Sequence, residues 1–157
     1  MKYLFDTCSI TIVIKRKLGE ELSKYFKNVS VSELVRKEFN NVPDDWKYFN
    51  SHFKVNVIDI ADMSMYLEMS ELIKLNNGMS EADASSIVLA KKNKYILITE
   101  ERLIRKISLR SGFKAKRFVE LLFDLKIDYD TIKSWYYDGI KKISSLPKEE
   151  EEKLFYK

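Results

Sequence analysis

Carboxylates dominate the chemistry this chain can offer. Asp83 stands in the first turn of a helix expected over residues 80–92. The apolar run Tyr95-Ile96-Leu97-Ile98 then reads as a strand, and Glu100 and Glu101 follow at its carboxyl end. Asp6 closes a second apolar run, Lys2-Tyr3-Leu4-Phe5, in the same way. Glu33 and Glu38 fall in a helix expected after the short strand Asn28-Val29-Ser30-Val31. Open parallel sheets bind ligands beyond the carboxyl ends of their strands. Carboxylates gathered there repel one another unless a cation neutralises them. Mg²⁺ and Mn²⁺ prefer such oxygen ligands. The chemistry on offer is a divalent-metal site, and with it phosphate handling.

Each acid also has a purely structural reading. Ser80-Glu81-Ala82-Asp83 fits a capping box. Thr99 can serve as an N-cap, with Glu100 and Glu101 favouring the helix dipole. Glu33 and Glu38 suit a solvent-facing helix surface, and Thr7, Ser9 or local backbone can satisfy Asp6. What favours a shared site is their joint occurrence at one expected sheet edge.

The elements that must position these residues alternate. Strands are expected at 2–5, 28–31, 53–60 and 95–99. Helices are expected at 8–18, 20–27, 32–39, 63–76, 80–92, 101–111, 118–125 and 129–143. Pro43 with Asp44 and Asp45 marks a turn or helix start, and Asn76-Asn77-Gly78 a C-cap and turn. This alternation predicts an α/β fold of three layers, α/β/α, around a mostly parallel central sheet with right-handed crossovers. Residues 1–143 are expected to form one domain, followed by a charged, helical tail over 144–157.

Composition narrows the function. The chain has 157 residues, 45% hydrophobic and 33% charged, which suits one globular domain. His52 is the only histidine and Cys8 the only cysteine, which excludes histidine-pair catalysis, zinc sites and an internal disulfide. No apolar run approaches a membrane span and no signal peptide is read, so the expected location is cytoplasmic. The net charge of +4 is uneven: residues 91–117 carry ten bases against two acids, leaving the rest of the chain at −4. Lys91, Lys92, Arg102, Arg105 and Lys106 are candidates for holding a nucleic-acid backbone beside an acidic site. A solvated lysine-rich face is the alternative.

These segments resemble the PIN domain family, which includes the VapC-type toxin ribonucleases. Lys2-Tyr3-Leu4-Phe5-Asp6-Thr7-Cys8-Ser9 is similar to its opening strand followed by Asp-Thr and a small polar residue. Ala82-Asp83-Ala84-Ser85-Ser86-Ile87-Val88-Leu89-Ala90 resembles its acid-led helix. Ile96-Leu97-Ile98-Thr99-Glu100-Glu101-Arg102 resembles its strand ending in Thr-Asp-Asp, and residues 121–140 its closing helices. The resemblance implies metal-dependent cleavage of RNA with Mg²⁺ or Mn²⁺. By position, Asp6, Glu38, Asp83 and Glu100 become the catalytic acids. Val35-Arg36-Lys37-Glu38-Phe39 matches the family's Val-x-x-Glu-Leu and favours Glu38 over Glu33. Asp6, Asp83 and Glu100 become metal ligands with Glu101 as an accessory, supported by the hydroxyls of Thr7, Ser9 and Thr99. The family commonly has aspartate where Glu100 and Glu101 stand. That departure keeps a catalytically degenerate module, binding RNA or protein, as the alternative. The resemblance further implies a small antitoxin partner. Trp135, Tyr136, Tyr137, Phe155 and Tyr156 would offer it, or a second copy, a surface; ordinary core packing is their other reading.

Overall fold

The computed structural model describes residues 2–156. Five strands form one sheet: β1 (Tyr3–Phe5), β2 (Asn28–Ser32), β3 (Lys54–Ile58), β4 (Ile96–Ile98) and β5 (Lys114–Lys116). Their spatial order is β3-β2-β1-β4-β5, and every pairing is parallel. The chain winds outward from β1 to β3, returns past β1, and winds outward again through β4 to β5. Strand order therefore reverses between β1 and β4, which are in register from Tyr3↔Ile96 to Phe5↔Ile98. Such a switch point opens a crevice at the carboxyl ends of the two strands. The expected α/β/α architecture holds, with a sheet that is wholly parallel.

The strand direction also fixes the helices. Helix α1 (Thr7–Lys15) starts directly after β1 because Asp6 caps it, accepting the Ser9 N–H at 2.9 Å. Next come α2 (Gly19–Leu22), α3 (Glu33–Lys37) and α4 (Pro43–His52). Ser32 caps α3 through the Val35 N–H. Helix α5 (Met63–Leu75) is capped by Asp62, and α6 (Glu81–Asn93) by Ser80. Helix α7 (Arg102–Ser111) follows β4 and ends at Gly112, whose φ of +74° is the left-handed conformation glycine adopts without strain. Helices α1, α3 and α7 directly follow β1, β2 and β4, and α6 leads back to the start of β4, so the first turns of these four lie toward the carboxyl edge of the sheet.

Alternate residues of the strands supply both faces. Leu4 and Leu97 point into a core with Ile87, Val88, Leu89 and Ile104 from α6 and α7. Nearly every residue of α6 from Ala82 to Ala90 is buried, which its small Ala and Ser side chains permit. Tyr3 and Phe5 face the other way, into an aromatic layer with Phe26 and Phe49. Gly19 is required by close packing on that side, since a Cβ there would meet the His52 ring at 2.6 Å.

The chain divides into two compact units between Arg117 and Phe118. The second unit contains α8 (Phe118–Asp124), α9 (Tyr129–Trp135), a π-helical turn (Tyr136–Ile140), α10 (Lys141–Ile143) and α11 (Lys148–Phe155). Its centre is the fully buried Tyr136, stacked on Phe155 at 5.1 Å. The Glu151 carboxylate accepts Tyr136 Oη at 3.1 Å, Tyr137 Oη at 2.8 Å and Lys141 Nζ at 3.0 Å. Core packing thus accounts for Tyr136 and Phe155, and Tyr156 is exposed.

Three local expectations need correction. The sequence pattern does not predict β5: Lys-Ala-Lys has neither an apolar run nor a β-branched residue, and it forms as an edge strand through its register with β4. The helix expected at 20–27 is only the four residues of α2, because Phe26 turns inward against Tyr3 and Phe5. Helix 129–143 is interrupted by the π-helical turn, in which Tyr136 and Gly139 are buried. No helix of the described residues is long and apolar enough to cross a membrane.

Candidate active site

The carboxyl ends of β1 and β4 meet at the switch point, and Asp6 stands there. It is only 2% exposed. Burial pushes its carboxyl from an ordinary 3.8 up to about 6, and the charge of Asp83 adds to the rise. Hydrogen bonds from the Thr99 hydroxyl and from Ser9 oppose it. Thr99, fully buried at the end of β4, also accepts the Glu101 N–H at 3.1 Å. It therefore ties the two strand-end acids to one another. Ser9 Oγ donates to the Ile98 carbonyl at 2.7 Å and fastens the start of α1 to β4.

Asp83 enters from the first turn of α6. Its N–H donates to Ser80 Oγ at 3.0 Å, so the capping reading is correct as far as it goes. Its carboxyl is nevertheless raised, by burial first and then by the charges of Glu101 and Glu38, against a hydrogen bond from Ser80. Those contributions put Glu101 and Glu38 near Asp83. Glu38 stands at the C-cap of α3, and its Oε2 accepts the Thr7 hydroxyl at 2.6 Å. That bond joins it to the start of α1, next to Asp6. Glu33 opens α3 directly after β2, and it is Glu38 that bonds Thr7 and contributes to the field at Asp83.

The strand-end glutamates diverge. Glu101 acts on Asp83, whereas Glu100 lies 3.9 Å from Arg117 Nη1, both side chains being 8% exposed. Arg117 directly follows β5, and along the chain it is one more base of the 91–117 segment. Its place at the site is hidden in the sequence because β5 itself has no sequence signal. Cys8 registers the same field: burial pushes its thiol up to about 12, with Asp6, Glu100 and Glu101 contributing and Lys15 opposing. A thiol raised in this way holds little thiolate near neutral pH.

The basic candidates separate. Arg102, Arg105 and Lys106 open α7 at the edge that carries the acids. Lys91 and Lys92 lie at the far end of α6, about 12 Å along the helix from Asp83 at 1.5 Å per residue. Lys91 is also paired with Glu68.

The donor set is hard oxygen throughout: four carboxylates, from Asp6, Glu38, Asp83 and Glu101, with flanking hydroxyls. Asp6 and Asp83 are both raised in part by neighbouring acids, a repulsion that a divalent cation would relieve. The residues therefore fit Mg²⁺ or Mn²⁺. Among the described residues no three acids, cysteines or histidines close to a ligand cluster.

Comparisons with known proteins bear on the fold and the family. No curated protein sequence matches the chain. A PilT N-terminus domain protein from the hyperthermophilic archaeon Sulfolobus solfataricus P2 has a similar structure, with a TM-score of 0.60 at 16% identity. The match covers 80% of this chain and 93% of that one, and shows the shared fold. A family model, DUF3368, described as a PIN domain, matches residues 2–132, and the chain therefore belongs to the PIN domain family.

Proposed function

We propose that this protein is a metal-dependent endoribonuclease. PIN domains are typically nucleases that use divalent metals. The observation that carries the reading here is the field shared by Asp6, Glu38, Asp83 and Glu101 at the switch point. Mg²⁺ or Mn²⁺ would be held by Asp6, Asp83 and Glu101, with Glu38 and Glu100 at the margin. When bound, such an ion lowers the pKa of a water and offsets charge on the phosphate. The chain's own contribution is placement. Thr99 and Ser9 fix the buried Asp6, Ser80 fixes Asp83, and Thr7 holds Glu38 beside them. Arg102 and Arg105 at the start of α7 suit the RNA backbone entering over the acids.

The test is cleavage of single-stranded RNA with Mn²⁺, with EDTA, and by Asp6→Asn and Glu101→Gln. Activity only with metal, and lost in both variants, is expected. Activity that survives EDTA and Asp6→Asn would overturn the mechanism. Expression that arrests growth, relieved by a co-encoded small protein, would place the enzyme as the toxin of a cytoplasmic toxin–antitoxin pair.

One observation favours a second reading, a PIN domain that binds RNA or protein without cutting it. Glu100, which the family resemblance makes a core ligand, lies 3.9 Å from Arg117 Nη1 and is partly neutralised there. This reading expects RNA binding with no turnover in Mn²⁺.

A further inference from the structure

The five strands share a feature at the edge opposite the acids. Each starts at, or within two residues after, a lysine. In spatial order from β3 to β5 these are Lys54, Lys27, Lys2, Lys94 and Lys114, all exposed. Adjacent strands lie about 4.8 Å apart, so the lysine backbone positions form a row about 19 Å long.

Two adjoining grooves follow this row. One, of 440 Å³, is lined by Lys2, Asn28, Lys54, Asn56 and Tyr95 among others. The other, of 240 Å³, is lined by Lys2, Lys91, Lys94, Tyr95 and Lys114 among others. Lys2 and Tyr95 belong to both, and among the described residues no carboxylate lines either. Lys94 sits in the left-handed region, with φ of +57°, where glycine or asparagine is the unstrained choice.

Acids follow the opposite ends of four of the five strands: Asp6 after β1, Glu33 after β2, Asp59 after β3, and Glu100 and Glu101 after β4, with Arg117 after β5. The sheet is thus polarised along its strands. A row of lysines over grooves with amide donors suits a flexible polyanion, held through its phosphates without regard to sequence.

We infer that the amino edge of the sheet is a second RNA-contact surface, which holds the phosphate backbone of the substrate away from the acids. RNA as the polyanion rests on the proposed function, but the binding itself needs neither metal nor cleavage.

The test is equilibrium binding, in EDTA, of a fluorescent single-stranded oligouridylate long enough to reach both edges. The variant Lys27→Glu/Lys54→Glu/Lys114→Glu is compared with Lys142→Glu/Lys148→Glu/Lys153→Glu. The second makes the same charge change on exposed lysines of the other compact unit. The edge variant is expected to bind at least about tenfold more weakly. It should also lower the slope of log K against log salt by about 2, since each phosphate that a lysine neutralises on a single strand adds about 0.7. The control variant should change both far less. The milder Lys→Gln set serves if the glutamates prevent folding. Equal losses in both variants, or unchanged binding in a folded edge variant, overturn the inference. So does tight binding to phosphatidylserine vesicles with none to RNA. A wild type that cleaves RNA while the edge variant binds normally defeats this inference alone. A wild type that never cleaves while the edge variant loses binding defeats the nuclease reading alone.

Discussion

At the scale of single residues, Asp6 couples stability to the site. Its carboxyl is raised from 3.8 to about 6 in the folded chain. A group raised in this way favours the folded state fully below its unfolded value and loses that contribution as the pH rises through the folded value. The metal-free protein should therefore lose up to ~3 kcal/mol between about pH 4 and about pH 7. Urea unfolding in EDTA measures it. Asn is an equally good N-cap, so Asp6→Asn should keep the cap and flatten the profile. Identical profiles for the two proteins would count against a charged, buried Asp6. The adjacent glutamates should separate as well. Glu101→Gln removes the acid that acts on Asp83 and should cut cleavage by about a hundredfold or more, with stability little changed. Glu100→Gln removes a carboxylate beside the buried Arg117 guanidinium and should instead lower stability, by about 2 kcal/mol. Equal effects of the two on cleavage and on unfolding would refute that division. Asp6 and Asp83 were legible in the sequence, because one follows a strand and the other opens a helix, whereas Glu38 was singled out only by the family resemblance of residues 35–39. The distinct roles of Glu100 and Glu101 were not legible. They depend on Arg117, which is brought alongside only by the pairing of β4 with β5.

At the scale of elements, legibility followed burial. Strands β1 and β4 are apolar at every position and fully buried, so their composition reveals them. The edge strand β5 has two lysines in three residues and exists through its neighbour. Helix α6 shows little amphipathic pattern because it is buried nearly all round, and its Ser80 cap marked it instead. The π-helical turn had no local signal, since it is fixed by what Tyr136 reaches. Tyr136 Oη donates to Glu151 and accepts the Leu146 N–H at 2.9 Å. Burial would raise the Glu151 carboxyl, but hydrogen bonds from Lys141, Tyr137 and Tyr136 outweigh it and hold the group below its ordinary value. A depressed carboxyl stabilises above its unfolded pKa and loses that contribution as the pH falls through the folded value, the reverse of Asp6. Amide hydrogen exchange should therefore show α9, the π-helical turn and α11 losing protection together below about pH 4. Glu151→Gln should loosen the same segments at neutral pH by about 2 kcal/mol. If that variant left their exchange unchanged, the carboxylate would not be what holds them.

At the scale of the whole molecule, the parallel sheet turns a scattered sequence pattern into a charge axis. Parallel strands all begin at one edge and end at the other. Lysines at the starts and acids after the ends, unremarkable along the chain, become two opposed faces once the topology is known. The segment 91–117, a single basic stretch in sequence, is divided between those faces by α6 and α7, which run against the strands. The acidic face repels itself, and only the folded chain gathers it. A cation that binds there and not to the unfolded chain must raise stability by mass action. At a hundred times its dissociation constant, Mn²⁺ should add about 2.7 kcal/mol. For a chain of this length that is about 5–10 °C in Tm. The shift should be largest near neutral pH, where Asp6 is ionised, and should shrink toward pH 5 as its proton competes with the metal. Asp6→Asn and Glu101→Gln should each remove most of it, while Lys27→Glu/Lys54→Glu/Lys114→Glu, at the far edge, should leave it intact. A shift of equal size in all four proteins would mean that Mn²⁺ binds elsewhere, and the carboxyl edge would then not be the metal site. The measurement needs no RNA and no turnover, so it tests the metal site separately from the reaction proposed for it.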